Sequence, residues 1–213
     1  MIILVGSQKG GCGKTTLASN ISVELNRNSN LVLLDADRQA SCSYWIETRD
    51  VSDLKRIQSF QKHGDVRKSI QDLNSKYDHV VIDTAGHDSK ELRTALLVSD
   101  LFLAPFRTSQ HDINTLPTIQ NLVSMAKDFN PNLLSCAILT MVETNPRIDE
   151  EKNARKAFKA FPELKLLNSK IGDRKVYRDA TIEGMGVTEM KDVKAKNEII
   201  ELIKEIIDLK KGV

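Results

Sequence analysis

The segment Ser7-Gln8-Lys9-Gly10-Gly11-Cys12-Gly13-Lys14-Thr15-Thr16 constrains this chain more than any other. It follows directly on the apolar run Ile2–Val5 and opens a stretch in which Leu17, Ile21 and Leu25 recur at helical spacing. A strand, a glycine-rich turn and a helix in that order make a cradle for phosphate. Glycines let the backbone turn tightly and bring its N–H groups toward phosphate oxygens. The helix N-terminus adds unpaired donors and the positive end of its dipole. In such a loop Lys9 to Gly13, with Gly10, Gly11 and Cys12 between them, surround the phosphates. Lys14 bridges the β- and γ-phosphates, the Thr15 hydroxyl ligates Mg²⁺, and Thr16 reaches the α-phosphate.

Four further apolar runs follow: Leu31–Leu34, Val80–Ile82, Leu101–Ala104 and Leu134–Leu139. Each is short, rich in Val, Ile or Leu, and ends near a turn or polar residue. Fully apolar strands of this kind suit a parallel sheet covered on both faces. Between them lie helical patterns, among them Ile113, Leu116, Ile119, Leu122 and Val123. The alternation predicts a doubly wound α/β fold, a mostly parallel sheet flanked by helices, of the P-loop NTPase type. At 213 residues, with no Pro/Gly/Ser-rich linker, repeat or low-complexity tract, the chain reads as one domain from 1 to 213. A last helix is expected from Lys191 to Lys211, docked on the core through Ile199, Ile200, Ile203, Ile206 and Ile207.

Two strand ends carry carboxylates. One run ends Leu34-Asp35-Ala36-Asp37-Arg38-Gln39 and another Ile82-Asp83-Thr84-Ala85-Gly86. In a doubly wound fold, ligands sit at the C-terminal ends of strands. Acids placed there beside a phosphate loop can orient Mg²⁺, its waters and an attacking water. Apolar residues followed by Asp83 form a Walker B pattern.

The general phosphate-loop pattern wants glycine where this chain has Gln8. The run Lys9-Gly10-Gly11-x-x-Lys14-Thr15 instead resembles the deviant Walker A motif of the ParA/MinD family, and is closest to the short ParA-type partition ATPases. The resemblance implies that ATP and Mg²⁺ are bound and ATP is hydrolysed. It implies catalytic roles for Lys9, Lys14 and Asp37, with Lys9 reaching the partner's nucleotide in an ATP-bound homodimer. A cation arriving from another subunit can stabilise transition-state charge. Asp35 and Asp83 fall near the metal, with Thr15, and Asp37 positions water. Arg38 stands where the family has proline. Thr84-Ala85-Gly86 also looks like the γ-phosphate-sensing loop of signal-recognition-type GTPases. The guanine motif of those proteins is missing where Thr140-Met141-Val142-Glu143 stands, which favours ATP.

The same resemblance extends through Ser99–Pro105 with Ser109 and Asp112, and through Ile171–Ala180 with Gly184 and Gly186. That last segment covers the base and adjoins a DNA-binding face. It further implies nonspecific DNA and a ParB-type adaptor as partners, a cytoplasmic, nucleoid-associated location, and positioning of a plasmid, chromosome or other cargo. Net charge is only +2, so any DNA surface must be local. Residues 147–178 hold ten Lys/Arg against five Asp/Glu. Lys156 and Lys159, at helical spacing with Arg155, and Arg174, Lys175 and Arg178 in the following loop are the candidates. A MinD-like membrane-associated regulator is the alternative. The last helix lacks aromatic anchors and mixes acids with lysines, so stable membrane insertion is not expected. Cys12, Cys42 and Cys136 have no metal-ligand spacing, which argues against a metal-cluster carrier and fits a reducing cytosol.

Overall fold

A computed structural model describes residues 1–144 and 150–212. Its centre is a seven-stranded sheet: β1 (Ile2–Val5), β2 (Leu31–Asp35), β3 (Gln58–Gln61), β4 (His79–Asp83), β5 (Leu101–Phe106), β6 (Leu134–Val142) and β7 (Lys165–Gly172). The order is β3-β2-β4-β1-β5-β6-β7, and every pairing is parallel. Strand β1 is therefore flanked by β4 and β5. The phosphate loop leaves the sheet between the loop after Asp83 on one side and the loop after Phe106 on the other.

Alternation along the strands explains the two covered faces. Ile3, Val5, Leu31, Leu33, Leu101 and Leu103 point to one core, completed by α1 (Lys14–Leu25), α2 (Ser41–Asp50), α8 (Lys175–Ile182) and α9 (Val193–Lys211). Ile2, Leu4, Val32, Leu34, Phe102 and Ala104 point to the other. That face is closed by α3 (Arg67–Asn74), α4 (Lys90–Leu96), α6 (Leu116–Lys127) and α7 (Glu150–Phe158).

Several boundaries differ from the sequence expectation. The predicted helix through Ile113 and Leu116 is two helices, because the chain breaks at Asn114-Thr115 after the short α5 (Gln110–Ile113). The Thr115 hydroxyl donates to the Asp112 carbonyl at the break. Helix α9 starts at Val193 rather than Lys191, because the Asp192 carboxylate accepts from the Lys194 and Ala195 N–H groups and caps it. Its apolar residues Ala195, Ile199, Leu202, Ile203 and Ile206 are buried; Ile200 is exposed. Among the described residues no helix is long and apolar enough to cross a membrane.

Candidate functional site: the phosphate loop and the strand-end carboxylates

The loop between β1 and α1 is held from both flanks. Gly11 and Gly13 take φ of 72° and 87°, left-handed values that favour glycine. Gly13 caps α1 with no side-chain hydrogen bond, and the first turn carries no acid. The opening N–H groups and the dipole end are thus left to an anion. Inside the loop, Ser7 Oγ donates to the Lys9 carbonyl at 2.8 Å and lies 3.1 Å from Cys12 Sγ. The Lys14 ammonium is buried and donates to the Lys9 carbonyl at 3.2 Å. From β6, Thr140 Oγ1 donates to the Cys12 carbonyl at 2.8 Å.

Three contacts here come from Arg107, which the sequence pattern does not single out, and from Gly86 and Asp112, which it marks without assigning them a partner. The Arg107 guanidinium, just past β5, donates to the Gly11 carbonyl. Gly86, past β4, packs so closely that a Cβ there would lie 2.8 Å from Gly10 and from Lys14 Nζ. Asp112, in the short helix α5 that follows the same loop, accepts from Lys9 Nζ at 2.8 Å and from Ser109 Oγ at 2.6 Å. Burial would raise the Asp112 carboxyl, but the hydrogen bonds from Lys9 and Ser109 outweigh it and hold the group below its ordinary range. The Lys9 side chain stays 41% exposed, tethered at the mouth of the loop.

The two strand-end carboxylates stand side by side, since Asp35 and Asp83 are register partners across β2 and β4. Asp35 is fully engaged. Its Oδ2 accepts from the Ser43 N–H at 2.8 Å and Ser43 Oγ at 2.7 Å, and its Oδ1 from the Asp37 N–H at 3.1 Å. Asp83 is only half engaged. Its Oδ2 accepts from Thr15 Oγ1 at 2.7 Å and Cys42 Sγ at 3.2 Å, while its buried Oδ1 has no partner. Burial pushes the Asp83 carboxyl up to about 7, against the hydrogen bonds from Thr15 and Cys42. A buried carboxylate oxygen without a donor, next to a second acid and the Thr15 hydroxyl, fits a hard divalent cation. Burial first, then the Asp83 charge, push the Cys42 thiol well above its ordinary value, so it is a protonated donor. Asp37 is less buried, with Oδ1 accepting from the Gln39 N–H at 3.0 Å.

A cavity of about 480 Å³ opens over the loop, lined by Gly10, Lys14, Thr15, Asp37 and Gly86 among others. Next to it lies a more apolar cavity of about 310 Å³. Leu17, Met141, Tyr177 and Ile182 line the second cavity, and Gly13, Thr16 and Met141 border both. Met141 sits at φ 50°, a strained backbone for a non-glycine residue.

Most of the candidate DNA residues line two cavities that meet at Gly172 and Arg174. Lys156 and Lys159 are exposed and, with Arg174, line a groove of about 1090 Å³ between α7, β7 and α9. Arg174 is paired with Glu198 at 2.9 Å. Lys175 and Arg178 lie in α8 rather than in a loop, and each is paired, with Asp179 at 2.9 Å and Asp173 at 3.0 Å. Arg178 lines the apolar cavity beside the phosphate loop. Residues 147–149 of the basic stretch lie outside the described residues.

The profile described as the CobQ/CobB/MinD/ParA nucleotide binding domain matches residues 3–187. The chain belongs to that family. Among curated relatives of this ParA/MinD-type protein is maintenance of carboxysome distribution protein A of Halothiobacillus neapolitanus. It is 26% identical over 209 residues, covering 96% of this chain and 95% of the relative. The fold matches apo McdA of Cyanothece with a TM-score of 0.82 at 16% identity, covering 96% of this chain and 98% of the other. It also matches the septum site-determining protein MinD of Pyrococcus horikoshii, complexed with Mg-ADP. There the TM-score is 0.71 at 18% identity, with 98% of both chains covered.

Proposed function

We propose that this ParA/MinD-type protein is a Mg²⁺-dependent ATPase that closes as a homodimer around ATP, holds nonspecific DNA in that state, and positions a cargo through an adaptor. The observation that carries the chemistry is the convergence on one loop of a buried lysine, an open helix N-terminus and a half-engaged carboxylate. The triphosphate lies over Gly10–Thr16, and the base enters the apolar cavity beside Met141 and Tyr177. Mg²⁺, when bound, neutralises phosphate charge, with Thr15, Asp83 and Asp35 as its direct or water-bridged neighbours. The chain's own part is positioning. Lys14 and the loop N–H groups orient the γ-phosphate, and Asp37, in the exposed loop after β2, orients the attacking water. Lys9 sits where a lysine could leave Asp112 and reach a second subunit's phosphate. On this reading hydrolysis acts as a timer and location is the output.

The cargo reading draws on the carboxysome-distribution relative, whose match covers 96% of this chain. The relation is distant, so plasmid, chromosome and microcompartment remain one class: a large body coupled by a ParB-type or equivalent adaptor. For DNA, the groove geometry favours Lys156 and Lys159, which have no ion pair among the described residues, with Lys194 on the facing helix, over the paired Arg174, Lys175 and Arg178.

The test is fluorescence anisotropy of a random-sequence duplex against protein with ATP, ADP or no nucleotide. Binding with ATP alone, weakening steeply with salt, is the expected outcome. Equal binding in all three states would remove the nucleotide-gated DNA step.

A further inference from the structure

The first turn of α2 grips both strand-end carboxylates with consecutive residues. Ser43 supplies two donors to Asp35, and Cys42, immediately before it, supplies one to Asp83. Asp35 and Asp83 are register neighbours, so two acids stand side by side, and each needs donors to keep one orientation. On Asp83 the Thr15 hydroxyl and the Cys42 thiol converge on the same oxygen, Oδ2. Two donors from different helices fix the torsion of the carboxylate. Its other oxygen, Oδ1, is then presented unpaired in a single orientation.

We propose that Cys42 is a positioning residue for the cation-binding carboxylate: its thiol holds Asp83 Oδ2 so that Oδ1 is pre-aimed for the divalent ion that accompanies the nucleotide. The proposal rests on the nucleotide-binding reading above and adds a residue to it. The alternative role for a fully buried cysteine at this position is to fill space between α2 and the sheet, in the core it shares with Trp45 and Val81. The two roles differ in what they require. Space filling needs volume; positioning needs a donor. A thiol is a weak donor, so its contribution belongs at or below the low end of what residues bonded to metal ligands supply, about ten-fold in metal affinity.

The experiment titrates a fluorescent ADP derivative against full-length protein in MgCl₂ and in EDTA, for wild type and Cys42→Ser, Cys42→Ala and Cys42→Val. ADP removes hydrolysis from the readout, and the ratio of the two affinities cancels general destabilisation. The MgCl₂ concentration at half-effect is read from a second titration. Cys42→Ser, which keeps a donor, is expected to stay within about two-fold of wild type in that concentration. Cys42→Ala and Cys42→Val are expected to need about three- to ten-fold more Mg²⁺, with affinity in EDTA unchanged. Should Cys42→Ala fail to fold, the Ser and Val pair decides, since Val keeps volume without a donor. Equal Mg²⁺ dependence in all four proteins, or a Ser variant as impaired as Val, overturns the positioning role while leaving the nucleotide site standing. Wild type that binds ADP identically in MgCl₂ and EDTA overturns the cation site and the role of Cys42 with it.

Discussion

The mouth of the phosphate loop and the basic groove over α7 and β7 are both rich in charge, yet they are built in opposite ways. At the loop, Lys14, Asp35, Asp83 and Asp112 are buried and each is held by named donors or acceptors from neighbouring elements. In the groove, Lys156 and Lys159 are exposed on one short helix and its exit, and nearby Arg155, Lys170 and Arg174 are tied to Glu151 and Glu198. The first region fixes charges at atomic positions, as chemistry on one phosphate requires. The second offers a loose field, which suits contact with a repeating polyanion and is individually weak. Substitutions should therefore act in steps at the loop and in small increments at the groove.

The largest effects belong to the loop. Lys14→Ala removes the buried cation, and Gly86→Ala places a methyl 2.8 Å from Gly10 and Lys14 Nζ. Each should cut nucleotide affinity by about 10²-fold or more, read by nucleotide titration with circular dichroism to check the fold. Near-wild-type affinity in Gly86→Ala would show that the loop after β4 gives way freely and that the closeness has no function.

Next comes pH. The Asp83 carboxyl is raised from 3.8 to about 7, so between those values the folded chain keeps a proton that the unfolded chain has lost. Its contribution to stability is full below about pH 4 and is lost as pH rises through about 7. In EDTA, the melting temperature of wild type should fall from pH 5 to about pH 8 more steeply than that of Asp83→Asn. Parallel slopes would mean that Asp83 ionises normally despite its burial.

The smallest steps are at the groove. Lys156→Glu and Lys159→Glu should each weaken DNA binding uniformly across sequences and reduce the salt slope by about one, with nucleotide affinity unchanged. A larger loss from Lys175→Glu or Arg178→Glu would move the DNA face to α8.

The same contrast explains what the sequence disclosed. Strands β1, β2, β4, β5 and β6 were legible because they are covered on both faces and so are continuously apolar. Strand β3, Gln58-Ser59-Phe60-Gln61, and strand β7, with Lys165, Asn168 and Lys170, lie at the two edges and carry polar residues that hide them. The phosphate loop was legible because it is contiguous and its chemistry is largely backbone. The contacts of Asp112, Arg107, Gly86 and Cys42 are not legible, although Gly86 and Asp112 fall in segments that the resemblance marks. The contacts of Arg107, Gly86 and Asp112 exist because β4 and β5 flank β1, and that of Cys42 because β2 lies beside β4, a strand order that no local pattern announces. The basic stretch was legible as composition, but its ion pairing was not, because Glu198 reaches Arg174 from a different element.

On the proposed function, Lys9 leaves Asp112 for a second subunit's phosphate when ATP is bound. Light scattering on wild type and Lys9→Ala, each with ATP, ADP or no nucleotide, tests it most directly, with phosphate release measured in parallel. Only ATP should bring wild type to twice the 23.9 kDa chain mass, and Lys9→Ala should release no phosphate. A wild-type chain that stays at single mass with ATP, or a Lys9→Ala variant that hydrolyses ATP at the wild-type rate, would contradict it.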